Sequence, residues 1–99
     1  MKFEFQPNDA RVTLSGEFTF TDHVAFREVA DRLLQADDRT IVVELSQLRF
    51  IDSAGLGMLL IARDEAGKAG RTLVLSQPQG QVKRMFAVTK FDELFTIQA

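Results

Sequence analysis

Cysteine is absent from this chain, histidine occurs once, and Lys83-Arg84 is the one pair of adjacent basic residues. The first absence removes disulfides, thiol catalysis and thiolate metal sites together, and it suits a reducing compartment. A single histidine leaves a metal site only scattered carboxylates to draw on, so neither a metal nor any other cofactor is expected. Without a basic cluster, and with a net charge of −2 spread along the chain, the electrostatic footprint of nucleic-acid binding is missing. Long apolar runs are missing too. The longest uncharged, apolar-rich stretch, Ser53 to Ala62, is far short of the roughly 20 residues that span a bilayer. Met1-Lys2-Phe3-Glu4-Phe5 also lacks the apolar core and cleavage site of a secretory signal. The expected setting is cytoplasmic, with no membrane insertion.

What is present is an ordinary globular balance of 45% apolar and 26% charged residues in 99. That length supports one two-layer core, so a single domain over residues 1–99 is expected. Enzymatic chemistry finds little footing. No G-x-S-x-G elbow occurs, His23 is the only imidazole available as a base, and Gly55-Leu56-Gly57 lacks the lysine and spacing of a phosphate-binding loop. The expected class is a binding protein rather than an enzyme.

Hydrophobic periodicity then divides the chain. Phe3 and Phe5 alternate with Lys2, Glu4 and Gln6, and Val12 and Leu14 alternate with Arg11, Thr13 and Ser15, the period-two pattern of half-buried strands. Pro7-Asn8-Asp9 supplies the turn, predicting an antiparallel hairpin that ends at Gly16. From Asp22 the period lengthens. Phe26, Val29, Ala30, Leu33 and Leu34 recur at three- and four-residue steps, predicting an amphipathic helix capped by Thr21 or Asp22. Ile41-Val42-Val43-Glu44-Leu45 reads as a central strand covered on both faces. A loop then leads to a second helix over 53–69, a strand over 72–75, a third helix over 81–88 and a last strand over 95–97. This order predicts an α/β domain with a mixed sheet. Its N-terminal hairpin is antiparallel, its later strands are parallel, and its helices pack mainly on one face.

The informative segment is Asp52-Ser53-Ala54-Gly55-Leu56-Gly57, where the chain enters the second helix. A serine at a helix entrance can accept a hydrogen bond from an unpaired amide, typically worth about 1 kcal/mol. Asp52 could orient that serine, aid its recognition by a modifying enzyme, or satisfy turn amides. Two glycines in the first turns of a helix each cost roughly 0.8–1 kcal/mol relative to alanine. They open backbone around the serine to a partner, allow close packing of the helix on the sheet, or do both.

This segment resembles the signature of the STAS domain, the family of anti-sigma factor antagonists, and the likeness extends to Val12-Thr13-Leu14-Ser15-Gly16-Glu17, Ile41–Leu45 and Thr72–Leu75. Ala54 stands where some members carry a hydroxyl, leaving one phosphorylatable residue in the motif. The resemblance implies a STAS-like two-layer fold and a partner-switching cycle. The domain captures an anti-sigma factor or similar serine kinase when the motif serine, here Ser53, is unphosphorylated. It releases that partner when Ser53 is phosphorylated, and a serine phosphatase restores it. The partner-binding surface expected from these residues comprises Asp52, Ser53, Ala54, Gly55, Leu56, Gly57 and Met58, with Phe18 and Phe20 as an apolar rim unless they fold inward. The free protein is expected to be a monomer. The competing expectation is a constitutive adaptor, a subunit of a transporter or signalling complex in which Ser53 is only a helix cap.

Overall fold

The computed structural model describes all 99 residues. The strands are β1 (Lys2–Phe5), β2 (Arg11–Phe18), β3 (Thr40–Ile51), β4 (Thr72–Ser76) and β5 (Thr96–Gln98). The helices are α1 (His23–Gln35), α2 (Ser53–Lys68), α3 (Gly80–Val88) and α4 (Phe91–Leu94), with a 3-10 turn at Phe20–Asp22.

The five strands lie side by side in chain order. β1 and β2 are antiparallel; every later neighbour is parallel. Parallel neighbours need a crossover, and right-handed crossovers that always step in one direction lay their helices on one face of the sheet. The core follows that rule. Ile41 and Val43 of β3, Leu73 of β4, Phe26, Ala30 and Leu33 of α1 and Ala62 of α2 line one apolar seam, and Val82, Phe86, Phe91 and Phe95 join the same core. Phe91 sits between two ring partners, 5.1 Å from Phe86 and 5.0 Å from Phe95, which gives the short α4 its anchor.

The opposite face is open to solvent except at β4, where Val74 and Ser76 are buried beside Val42 and Glu44. Arg11, Thr13, Val42 and Glu44 are all half-buried there, and Arg11 and Glu44 approach to 3.6 Å. The run at 41–45 therefore alternates instead of being covered on both sides. Glu44 is the reason: a carboxylate in the middle of the strand needs a wet face.

Two strands outrun the lengths expected from sequence. β2 passes Gly16, which adopts a left-handed φ of +82°, and continues to Phe18 with a register shift against β3 between Gly16 and Glu17. The glycine does not end the strand, and the extra residue of the bulge belongs to β3: Arg49, between Leu48 opposite Gly16 and Phe50 opposite Glu17. β3 continues past its last pairing with β4 at Glu44 as far as Ile51, still paired with β2, where a loop was expected. Its strand alternation breaks at Arg49 and Phe50, both exposed between buried Leu48 and Ile51. The extension carries β3 beyond the edge of β4 and sets where α2 begins.

Candidate functional site

β3 ends at Ile51 and α2 begins at Ser53, so a single residue makes the junction. That residue, Asp52, is extended and caps the helix. One carboxylate oxygen accepts from the Gly55 amide at 2.9 Å, and the other accepts from the Phe20 amide at 3.1 Å. The backbone reinforces this, because the Asp52 amide donates to the Phe18 carbonyl at 3.2 Å. Asp52 thus joins the end of β2, the turn after it and the first turn of α2. Its anionic charge sits at the electropositive end of the helix, where it is stabilised.

The capping role considered for Ser53 therefore belongs to its neighbour. An N-cap residue is extended and its side chain folds back onto the helix. Asp52 has that geometry, whereas Ser53 is already the first helical residue and points to solvent. Ser53 is exposed, and its side chain takes no part in the cap.

The two motif glycines differ. A methyl group on Gly55 would lie 2.7 Å from Ile51 Cγ1 and 2.8 Å from the Phe18 carbonyl oxygen, so α2 rests on the ends of β2 and β3 there. Gly57 has open space around the same position. Ala54 is half-buried against the core, and Leu56 is buried within it.

Three side chains assigned to the partner surface turn inward. Phe18 is fully buried, its ring 4.8 Å from that of Phe26. Its position follows from β2 running to residue 18 and carrying the inward alternation with it. Leu56 is taken up by the sheet. Met58, only 8% exposed, fills the seam between α1 and α2 beside Phe26, Ala30 and Ala62. Arg27 borders that seam with an ion pair to Glu65 at 2.7 Å. Phe20, by contrast, is 71% exposed on the turn that Asp52 holds. Asp22 secures the other end of this turn, accepting from the Thr19 amide at 2.8 Å and from the Met1 ammonium at 3.0 Å. Burial pushes the Asp22 carboxyl up, but the Thr19 amide and the ammonium outweigh it and hold the group below the ordinary aspartate value.

Sequence patterning missed Val24 and Gln81. Val24 is exposed on α1, as is Ile61 on α2. Gln81 of α3 is the other. Its side-chain amide donates to the Ile51 carbonyl and its carbonyl accepts from the Ile51 amide, both at 2.9 Å. It thereby holds the strand end on which Asp52 and Ser53 are mounted. Nothing in a lone glutamine signals this. His23 is exposed, no group of three or more acidic or histidine side chains is placed to hold a metal ion, and no helix is long and apolar enough to cross a membrane.

Comparison with known proteins gives a consistent outcome. The family model described as "Mlab, STAS domain" matches residues 1–97. A STAS-domain containing protein of Pseudomonas aeruginosa is 34% identical over 86 residues, covering 87% of this chain and 84% of the relative. Among solved structures, an anti-sigma factor antagonist from Mycobacterium paratuberculosis superposes with a TM-score of 0.83 at 20% identity, covering 98% of this chain and 84% of that one. The anti-sigma factor antagonist SpoIIAA in its unphosphorylated form does so with a TM-score of 0.70 at 19% identity, covering 99% and 86%. At these identities the structural likeness establishes the mixed five-stranded fold.

Proposed function

Since the chain belongs to the STAS domain family, we propose that it is an anti-sigma factor antagonist: a protein-binding switch that captures an anti-sigma factor or serine kinase while Ser53 is unphosphorylated and releases it when Ser53 is phosphorylated. The observation that carries this reading is the division of labour at the head of α2. Asp52 caps the helix, so the exposed Ser53 hydroxyl is free for a kinase and can change chemically without unpicking the fold.

The physics of the switch follows. A phosphoserine brings roughly −1.5 to −2 charges and three acceptor oxygens. At the first residue of α2 that charge meets the positive end of the helix dipole, so the modified domain stays folded. A partner surface shaped for a neutral hydroxyl would instead face a desolvated dianion beside the like charge of Asp52. A penalty of about 3–4 kcal/mol is enough to weaken binding several-hundred-fold. Of the surface expected from sequence, Ser53, Gly57 and Phe20 are open to such a partner, Asp52 holds the platform, and Val24 and Ile61 extend it. The same surface supports return to the capturing state by a serine phosphatase, because the phosphate would stand in solvent.

Labelling with a cognate serine kinase and ATP is expected to add one phosphate by intact mass, and none to Ser53→Ala. A pull-down with Ser53→Ala identifies the partner, whose affinity for Ser53→Glu should fall at least tenfold with little change in melting temperature. Equal affinity for the two variants, together with an unlabelled wild type, would leave a constitutive adaptor instead.

A further inference from the structure

β1 stands at one border of the sheet and pairs only with β2. Its other flank offers main-chain groups with no strand to receive them. One hydrogen bond tells which residues present those groups. The Gln6 amide donates to the Arg11 carbonyl at 2.9 Å, continuing the register that sets Phe5 opposite Val12 and Glu4 opposite Thr13. In an antiparallel ladder, residues that exchange hydrogen bonds alternate with residues that do not. Lys2, Glu4 and Gln6 therefore turn their main-chain groups toward β2, and Phe3 and Phe5 turn theirs outward.

This border is lightly guarded. β1 pairs with β2 without a bulge and contains no proline, two devices that commonly blunt an edge. Its two charges, Lys2 and Glu4, are exposed and of opposite sign, so they repel some arrangements of an added strand and favour others. Phe3 and Phe5 are half-buried and pack against the core. Arg32 of α1 covers the Phe5 ring at 4.1 Å from its centre and is itself held by Asp9 at 3.0 Å. Phe3 has Phe5 as its one ring neighbour, edge-on at 6.1 Å. A groove of about 360 Å³ lies between these two rings and α1.

We infer that β1 pairs antiparallel with β1 of a second copy, about a two-fold axis at Phe3, joining two five-stranded sheets into one. Register selects this occupant. A two-fold that keeps both helical layers on one face of the joined sheet centres on a residue, and within β1 the choices are Lys2, Phe3, Glu4 and Phe5. Centring on Lys2 or on Glu4 sets two like charges directly opposite each other, which is destabilising. Centring on Phe5 brings Pro7 opposite Phe3, and a proline has no amide to donate. Centring on Phe3 avoids both faults. Lys2 of each copy then lies opposite Glu4 of the other, giving two complementary pairs on the open face. Phe3 meets Phe3 on the helical face, where aromatic cross-strand pairs are favourable, and their outward amides and carbonyls bond reciprocally. This pairing consumes the edge in both copies, so association stops at two. The inference does not rest on the reading of Ser53, and its failure would leave that reading as it stands.

Sedimentation equilibrium of the full chain is expected to give a mass that rises with concentration from one chain toward two and no further. Lys2→Glu and Glu4→Lys each set like charges opposite each other in this register, and each should raise the dimer dissociation constant at least tenfold. Both positions are exposed, so far-UV circular dichroism should not change. The double variant Lys2→Glu/Glu4→Lys exchanges the two signs and should recover the wild-type constant. An equimolar mixture of the two single variants should form a mixed dimer, because every charge again meets its opposite. A single-chain mass at all concentrations up to about 1 mM, the monomer expected from sequence, overturns the inference. Single variants that dimerise as well as the wild type, or a mixture that stays monomeric, overturn it equally.

Discussion

Gly55 and Gly57 stand two residues apart at the head of α2 and occupy opposite surroundings. Gly55 faces the sheet, where the Phe18 carbonyl and the Ile51 side chain leave no room for a methyl group; Gly57 faces outward, where nothing lies within 4 Å. One glycine is required by the fold and the other is not. The difference separates a walled inner side, which fixes the position of the helix, from an open outer side shared by Ser53, Gly57 and Ile61. These three recur at four-residue steps and so form a single stripe. The inner side answers to stability, and the outer side is available to a partner.

The sharpest way to break this division is at the residue that joins the two sides. Asp52→Ala removes both carboxylate hydrogen bonds and exposes two amides, and should destabilise the domain by about 2–3 kcal/mol in urea unfolding. A loss below about 0.5 kcal/mol would mean that the cap matters little and that Ser53 can replace it. Gly55→Ala tests the inner wall. Overpacking against a backbone oxygen costs about 2–3 kcal/mol, and the better helix propensity of alanine returns about 0.8–1, for a net loss of about 1–2. Gly57→Ala should act in the opposite sense, stabilising the domain by about 0.8–1 kcal/mol through propensity alone. If both substitutions shift the denaturation midpoint in the same direction, the proposed asymmetry is wrong.

The smallest effect concerns the turn that carries Phe20. Because Asp22 ionises more readily in the folded protein, its contribution to stability is full at neutral pH. It declines once pH falls below the ordinary aspartate value of about 3.9, and it vanishes below the lowered folded value. Acid unfolding of Asp22→Asn should therefore show a shallower loss of stability below about pH 4 than the wild type. Parallel acid limbs for the two proteins would contradict that assignment.

Much of the architecture was legible in sequence because local pattern and tertiary environment agree. The hairpin alternation, the stripe of α1 and the order of strands and helices all reappear in the structure. The misreadings fall where a local signal has two physical outcomes. Gly16 looks like a stop, yet β2 runs on past it opposite a bulge at Arg49 of β3, and only the register between the two strands decides. Leu48 to Ile51 looks like a loop because its exposed pair breaks the alternation, although the backbone remains in the sheet. α4, only four residues long, is too short to show a helical period. At the site, adjacent aspartate and serine are both good caps, and backbone angles decide which one serves. Met58 presents the same spacing whether it faces a partner or a neighbouring helix, and the approach of α1 decides it. Phe18 followed the fate of β2: once the strand passes the bulge, its ring lands in the core.

Gln81 has a consequence beyond holding Ile51. Where β3 outruns β4, its main chain offers polar groups on a flank that no strand covers, the kind of border along which a second molecule can add itself as an extra strand. A glutamine amide carries an NH2 donor and a carbonyl acceptor side by side, and by using one bond of each it imitates the missing neighbour for a single rung. Removing it would do more than loosen a contact, because it would uncover a template next to the serine. Self-association that grows with protein concentration in Gln81→Ala would then report how an exchange of one side chain turns a sealed border into an adhesive one.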